Sequence, residues 1–233
     1  MRKPNPDKAA NNILRMVKQQ CKANGVRFSI TKRDPFNRGG FIPEDLLLEL
    51  SSETYQLPKG RLKPTNRPDM AITALHELVH VWQWKRKDKN FKAKVDGKDC
   101  YTVLSDYSDG VAWSPKPVLK KCLTSLVPLE FEAEMVSLQL AKSMGLELDS
   151  YTKWIKEAKA YCYAWYVLVE TGIWSEPYMS QKWMRHIKAN LEWDLTRGLL
   201  AQLCKLARED KEHAVVVWKG KKVFIRGVEV KEL

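Results

Sequence analysis

The spacing of apolar residues along the chain predicts where its helices lie. In residues 7–23 apolar side chains recur every three or four positions, as in an amphipathic helix that buries one face. The same period runs through residues 151–171, whose many aromatic side chains are best explained as core packing. Residues 180–208 predict a further helix or a broken pair of helices, with a kink at Gly198. The pattern therefore predicts a chain that is mostly helical.

Strand periodicity is limited to short segments. Residues 26–30 alternate apolar and polar side chains, and residues 41–50 are a candidate second strand. Residues 57–68, which are rich in proline and basic residues, predict a loop. Near the end of the chain, residues 213–231 predict a β-hairpin with its turn at Gly220. The predicted fold class is α+β, mostly helical, with a small sheet and a C-terminal β-hairpin.

The chain has no internal repeat and no obvious linker. Its 233 residues suffice for one domain with a substantial core, so we expect a single domain over residues 1–233 with a helical C-terminal portion over about 149–210. Residues 88–118 keep neither a helical nor a strand period. We expect this segment to form a loop on the substrate side, with a short hairpin around residues 101–104.

Residues 70–86 are the segment in which the sequence suggests chemistry. Pro68 marks the boundary of a predicted helix, and Asp69 is placed to cap its first free N–H groups. Apolar residues surround this helix almost completely, which indicates burial rather than a half-exposed surface. His76 and His80 are four residues apart, so their imidazoles lie on the same face of the helix.

The residues His76-Glu77-x-x-His80 form the pattern H-E-x-x-H. Two imidazoles at this spacing can share one metal ion, and Glu77 can take a proton from water bound to that metal. The alternative is that both are ordinary helix histidines. Against it, the chain has only 4 histidines, and burying two of them beside a carboxylate is costly unless a metal or another partner satisfies them. The pattern favours a hydrolytic zinc site.

A catalytic zinc site requires a third protein ligand from elsewhere in the chain. The extended pattern of the metzincins is excluded, because Gln83 stands at its glycine position and Arg86 at its third histidine position. The remaining ligand must therefore come from a more distant segment.

A second predicted helix, over residues 128–144, offers carboxylates for this purpose. Proline favours the first turn of a helix and glycine favours its end, so Pro128 predicts the start. Glu130 and Glu134 share one face of this helix, whereas Glu132 points away. All three remain candidate ligands at this stage, and the alternative is an acidic helix face exposed to solvent.

The two segments together resemble the active site of the gluzincin metallopeptidases, in which a glutamate on a second helix completes the H-E-x-x-H site. Glu130-x-x-Ala133-Glu134 resembles the family pattern E-x-x-A-D, with Glu134 in place of the commoner Asp or Asn. The resemblance covers about residues 69–145.

The resemblance implies a zincin-like fold and zinc-dependent hydrolysis of a peptide bond. It implies that His76, His80 and Glu130 bind zinc, that Glu77 is the general base, and that Glu134 orients an imidazole from the second coordination shell. It also implies that a strand preceding the active-site helix offers its edge to an extended peptide or protein substrate. His186 is a candidate transition-state stabiliser, as a C-terminal His or Tyr is in some gluzincins; the alternative is a surface histidine.

The charge of the chain adds a second class of function. Lys and Arg number 40 against 28 Asp and Glu, which gives a formal net charge of +12. Such a charge favours nonspecific contact with nucleic acid or an acidic protein. The alternative function is therefore a binding protein that keeps the zincin shape without turnover.

The cysteines and the hydropathy of the chain indicate the cellular compartment of the protein. Its 5 cysteines are scattered and never form C-x-x-C, so we expect free thiols. A purely structural zinc would need a fourth ligand from Cys100, Cys122 or His186, although the spacing nominates none of them. The sequence has no apolar run of membrane-spanning length and no signal peptide, so we expect a cytoplasmic protein without membrane contact.

Overall fold

A computed structural model of the chain describes residues 6–32, 39–56, 61–146, 151–175, 181–209, 214–217, 222–225 and 228–231. The chain forms two compact units. Unit 1 comprises Met1–Asp88 and Glu132–Ser150, and unit 2 comprises Lys89–Phe131 and Tyr151–Leu233. The predicted α+β class agrees with a mostly helical chain that carries a small mixed sheet. The expectation of a single domain over 1–233 stays a prediction.

The first part of unit 1 consists of two helices and five short strands. In chain order these are α1 (Pro6–Ala23), β1 (Arg27–Thr31), β2 (Gly39–Ile42), β3 (Leu47–Ser51), β4 (Glu53–Gln56), β5 (Arg61–Pro64) and α2 (Arg67–Lys85). Helix α1 buries the apolar face that its sequence predicts and packs against α2. Two residues after its end, Gly25 has a φ of 70°, which suits a residue without a Cβ and lets the Val26 N–H bond back to the Cys21 carbonyl in the last turn.

The three-stranded sheet of unit 1 has the order β1-β3-β2. Strand β3 pairs in parallel with β1 and antiparallel with β2. The prediction of one strand over residues 41–50 was wrong, because the chain turns between β2 and β3 with Leu46 at a φ of 49°. A Cβ on Gly39 would lie 2.9 Å from the Thr73 side chain on α2. The glycine therefore allows β2 to lie close against α2.

The segment before α2 contains a hairpin that the sequence did not predict. Strands β4 and β5 pair antiparallel, so the expected loop over residues 57–68 was wrong for the part that β5 occupies. Residues 57–60 lie outside the described residues.

Helix α2 begins three residues earlier than expected. The cap is Asn66 rather than Asp69: the Asn66 side-chain oxygen accepts from the Asp69 N–H at 2.8 Å. Pro68 lies in the first turn, where its missing N–H costs no hydrogen bond. Most of the side chains of α2 are buried, as the all-round apolar sequence predicted.

Unit 2 contains most of the remaining elements. They are β6 (Lys94–Val95), β7 (Lys98–Asp99), α3 (Cys100–Ser108), α4 (Lys116–Ser143), α5 (Tyr151–Thr171), β8 (Ile173–Ser175), α6 (Gln181–Met184), α7 (Arg197–Glu209), β9 (Ala214–Val217), β10 (Lys222–Ile225) and β11 (Val228–Lys231). Helix α4 is continuous and continues past Phe131 into unit 1. Helix α5 matches its predicted range. None of the helices in the described ranges is long and apolar enough to cross a membrane.

Residues 88–118 are more regular than the sequence suggested. The hairpin lies at β6 and β7, where Asp96 and Gly97 both have positive φ, as a tight two-residue turn requires. Residues 101–104, where the hairpin was expected, belong to α3 instead. The Asp99 side chain caps this helix by accepting from the Thr102 N–H at 2.7 Å.

Helix α4 starts at Lys116, so the prediction that it begins at Pro128 was wrong. Pro128 lies inside the helix, where it removes one backbone hydrogen bond. Proline inside a helix is uncommon, which is why the sequence suggested a boundary there. The helix still ends at Ser143, close to the predicted end.

The C-terminal helices also differ from the prediction. Helices α6 and α7 are separate, and Gly198 is the second residue of α7 rather than a kink. Strand β9 pairs antiparallel with β8, whereas β10 pairs with β11. Gly220, the predicted turn, lies outside the described residues.

The core of unit 2 contains a buried charge. Lys159 on α5 is fully buried, and its Nζ lies 2.5 Å from an Asp194 oxygen and 2.6 Å from the Asn190 side-chain oxygen. The Tyr163 hydroxyl also donates to Asp194. Burial, together with this bond, raises the pKa of Tyr163. The cluster holds the irregular segment between α6 and α7 against α5.

Replacing Asp194 by alanine is expected to destabilise the protein by about 3–5 kcal/mol, because it leaves the Lys159 ammonium buried without its carboxylate. Urea unfolding measures this as a lower midpoint. Glu192→Ala, which removes an exposed carboxylate two residues away, is the matched control and should unfold close to the parent. Equal midpoints for Asp194→Ala and the control would contradict the stabilising role of the pair.

Candidate metal centre

Two imidazoles of α2 meet at one point. His76 and His80 lie one turn apart, with their Nε2 atoms separated by 3.0 Å and their ring centres by 4.7 Å. Helix α2 packs against α1, β2 and β3, so few of its side chains reach water. The burial of this helix fixes the direction in which both imidazoles point.

Helix α4 supplies a carboxylate to the same point. Ligand atoms of His76, His80 and Glu130 all lie within 4.8 Å of one another. Within the described residues, this is the group of three or more His, Cys, Asp or Glu side chains that could hold a metal ion. Glu130 is 5% exposed, and it lies one turn before Glu134 on the same face of an unbroken helix.

Glu134 contacts the opposite side of the His76 ring. One Glu134 oxygen lies 3.5 Å from His76 Nδ1. An ionised carboxylate only accepts hydrogen bonds, so this contact favours a proton on Nδ1. The neutral imidazole of His76 then carries its lone pair on Nε2, the atom that faces His80.

His80 is oriented in a similar way by Gln83. The Gln83 side-chain oxygen Oε1 lies 2.7 Å from His80 Nδ1. The Gln83 side-chain nitrogen Nε2 donates to a Glu132 oxygen at 3.0 Å. Glu132 can only accept, so the Gln83 amide must direct its NH₂ group to Glu132 and its oxygen to His80. His80 therefore also carries its proton on Nδ1 and its lone pair on Nε2.

Arg86 completes this chain of contacts. Its guanidinium donates to both oxygens of Glu132, at 2.8 and 2.5 Å, and to Asp88 at 2.9 Å. The hydrogen bonds from Arg86 hold the pKa of Glu132 below its usual range, so the carboxylate stays ionised. Glu132 faces Gln83 and Arg86, and the group that could hold a metal does not include it.

The arrangement fits a cation. Two imidazole nitrogens and a carboxylate converge, with the nitrogens 3.0 Å apart. When both Nε2 atoms carry lone pairs, as the contacts of the Nδ1 atoms favour, they repel one another unless a cation or a shared proton lies between them. Two nitrogens bound tetrahedrally at the usual zinc distance are about 3.3 Å apart, close to the observed separation. Two His and one Glu are a ligand set typical of catalytic zinc, with one position left open.

The other predicted site residues lie on α2, on α4 and after α6. Glu77 is 8% exposed and follows His76 on α2. Ala133, the predicted small residue, is fully buried on α4. His186 lies in the segment that follows α6 and is exposed. Its Nε2 lies 3.1 Å from the side-chain nitrogen of Gln202 on α7. Its role as transition-state stabiliser stays a prediction.

The group that could hold a metal contains no cysteine. Cys100 and Cys122 are buried in the hydrophobic core of unit 2, and burial raises the pKa of the Cys122 thiol to about 12. All 5 cysteines are free thiols, as expected.

The sequence reasoning missed the contribution of Gln83, Glu132 and Arg86. Gln83 and Arg86 were considered only as departures from the metzincin pattern, and Glu132 as a fallback ligand that points away from the face of Glu130. The available signal was the spacing on α2, where Gln83 is one turn after His80 and Arg86 nearly one turn after Gln83. Their partner on α4 is distant in sequence.

Comparisons with known proteins add no family. No family model, curated protein or solved structure matches the chain. Its function therefore has to be inferred from the residues of the site.

Replacing a metal ligand should abolish tight metal binding. His80→Ala and Glu130→Ala are each expected to weaken zinc binding by more than roughly 100-fold, beyond the loss typical of residues that only orient a ligand. Zinc content of purified protein and competition with a chelator measure this. His186→Ala removes an exposed histidine as a control and should keep about one zinc per chain. Full zinc content in His80→Ala would contradict the site.

Proposed function

We propose that the chain is a zinc-dependent metallopeptidase of the gluzincin type with a zincin-like fold. The observation that supports the proposal most is the convergence of His76, His80 and the Glu130 carboxylate, in which the contacts of both Nδ1 atoms favour the tautomer that can bind a metal. A buried carboxylate, Glu77, stands beside one of them. These are the parts that metal-assisted hydrolysis requires.

His76, His80 and Glu130 would hold the zinc, and Glu134 would orient the His76 ring. When bound, zinc polarises a carbonyl oxygen and lowers the pKa of water. Three protein ligands leave room for both water and substrate. The orienting contacts keep the ligand nitrogens in place, so the ring positions need no rearrangement on binding.

Glu77 is the proposed proton carrier. It would accept a proton from the attacking water and deliver it to the leaving amine, because amide hydrolysis requires both transfers. Glu77 is buried on a helix among apolar neighbours, which supports this role. Burying a carboxylate costs free energy, and buried carboxylates are concentrated at functional sites. A carboxylate with a purely structural role would be replaceable by an apolar residue at little cost.

The sheet of unit 1 offers a place for an extended peptide. In the described three-stranded sheet, β2 is an outer strand next to β3, and it packs against α2. It begins with Gly39 and Gly40, which carry no side chains of their own. A peptide can add to such an edge through main-chain hydrogen bonds, which suits a peptide or protein substrate.

Glu77→Gln should keep the metal and lose the reaction. The amide has nearly the shape of the carboxylate but cannot take the proton, so hydrolysis is expected to fall by about 10²–10⁴-fold while zinc content is unchanged. Cleavage of an unfolded protein substrate and zinc analysis on the same sample measure both quantities. Glu192→Gln is the control. Hydrolysis by Glu77→Gln at the parent's rate would show that Glu77 is not the base.

One observation favours a second candidate, nonspecific binding of nucleic acid without turnover. Helix α1 carries four exposed basic side chains on the face opposite its buried stripe: Lys8, Arg15, Lys18 and Lys22. At 1.5 Å per residue they extend along about 21 Å of one helix face, a length over which several phosphates lie. Its only acidic residue is Asp7.

Replacing the four basic residues of α1 by glutamine should weaken binding to duplex DNA, because up to four phosphate contacts are lost. Binding should also depend less on salt: the slope of log binding constant against log salt concentration should become shallower by up to about 3.6. The charge-matched control replaces four exposed lysines of unit 2 by glutamine: Lys153, Lys182, Lys188 and Lys205. Fluorescence anisotropy at several salt concentrations measures both variants. Equal loss in both would contradict a specific role for α1.

A further inference from the structure

We propose that Gln83 is a positioning residue that keeps the Nε2 lone pair of His80 available to the metal, and that Glu132 and Arg86 hold Gln83 in the required orientation. This rests on the proposed function for its role in a zinc peptidase. The contacts that support it join α2 to α4. Gln83 acts through the His80 ring, which its side-chain oxygen contacts.

The orientation of the Gln83 amide decides which nitrogen of His80 carries the proton. In the observed orientation Oε1 faces His80 Nδ1 at 2.7 Å, so the ring donates from Nδ1 and its lone pair lies on Nε2. If the amide were flipped, its NH₂ would face Nδ1 and the proton would move to Nε2. A protonated Nε2 cannot bind a metal.

Glu132 prevents this flip. Its oxygen lies 3.0 Å from Gln83 Nε2, and a flipped amide would place two acceptor oxygens against one another. Gln83 is fully buried, so water cannot relieve such a contact. The penalty for the flipped state is that of a buried acceptor without a donor.

Arg86 fixes the Glu132 carboxylate in turn. It donates to both carboxylate oxygens, the geometry in which an arginine holds a carboxylate most rigidly. Glu132 is two residues from Glu130 on α4, so the same contact also fixes α4 close to a proposed ligand. The contacts therefore run from Arg86 through Glu132 and Gln83 to His80.

Two variants separate this role from simple packing. Gln83→Met keeps the volume of the side chain but cannot orient the ring. The double variant Gln83→Glu with Glu132→Gln exchanges the two groups. The carboxylate introduced at position 83 accepts from His80 Nδ1, and the amide introduced at position 132 donates to that carboxylate while its oxygen accepts from Arg86. The chain of hydrogen bonds from Arg86 to His80 is then restored with the roles reversed. Gln139→Met, at an exposed position on α4, is the control.

The first readout is zinc affinity, measured by competition with a chelator. Gln83→Met is expected to bind zinc roughly 10- to 100-fold more weakly than the parent, the usual effect of losing a residue that orients a ligand. The double variant should bind more tightly than Gln83→Met, and Gln139→Met should match the parent. Parent-like affinity in Gln83→Met, or no rescue by the double variant, would overturn the proposal.

The second readout is the His80 tautomer in the metal-free protein, from the ring ¹⁵N shifts of histidine-labelled samples. The parent and the double variant should carry the proton on Nδ1, and Gln83→Met should lose this preference. An unchanged tautomer in Gln83→Met would overturn the proposal even if affinity fell. Absence of Glu77-dependent hydrolysis, with the expected tautomers and affinities, would instead reject the peptidase function and leave the role of Gln83 intact.

Discussion

The structure of the site depends on one constraint, the cost of bringing two half-buried imidazoles and a buried carboxylate to the same point. His76 and His80 face one another at 3.0 Å on a helix that is buried on most sides, and Glu130 approaches from α4. Two Nε2 lone pairs at this distance repel unless a cation or a shared proton lies between them. The surrounding contacts hold the arrangement in place, which is why we interpret it as a preformed metal site rather than as chance packing.

The contacts around the ligands follow from elementary hydrogen-bond chemistry. A carboxylate only accepts, so Glu134 favours the tautomer of His76 with its proton on Nδ1, and Glu132 favours the same tautomer of His80 through Gln83. The proposed function uses both results, because each ligand nitrogen must be free of its proton. The basic face of α1 lies on a different element and requires no metal, so the two candidate functions can be tested separately.

Much of this site was predictable from the sequence, because its central part is local. The four-residue spacing of the histidines on a helix places them on one face, and the spacing of Glu130 and Glu134 does the same on α4. The contact of Gln83 with Glu132 was not predictable, since nothing in either segment specifies which residues meet across two helices. Pro128 suggested a helix start because proline is rarely tolerated inside a helix, and Leu46 gave no sign of its unusual φ.

X-ray absorption at the zinc edge of the zinc-loaded protein tests the metal centre most directly. The account predicts two imidazole nitrogens at about 2.0–2.1 Å, together with one or two oxygen ligands at about 2.0–2.2 Å. The outer-shell scattering of the imidazole rings should correspond to two histidines. Sulfur ligands at about 2.3 Å, a single histidine, or failure of the protein to bind zinc would contradict the assignment of His76, His80 and Glu130.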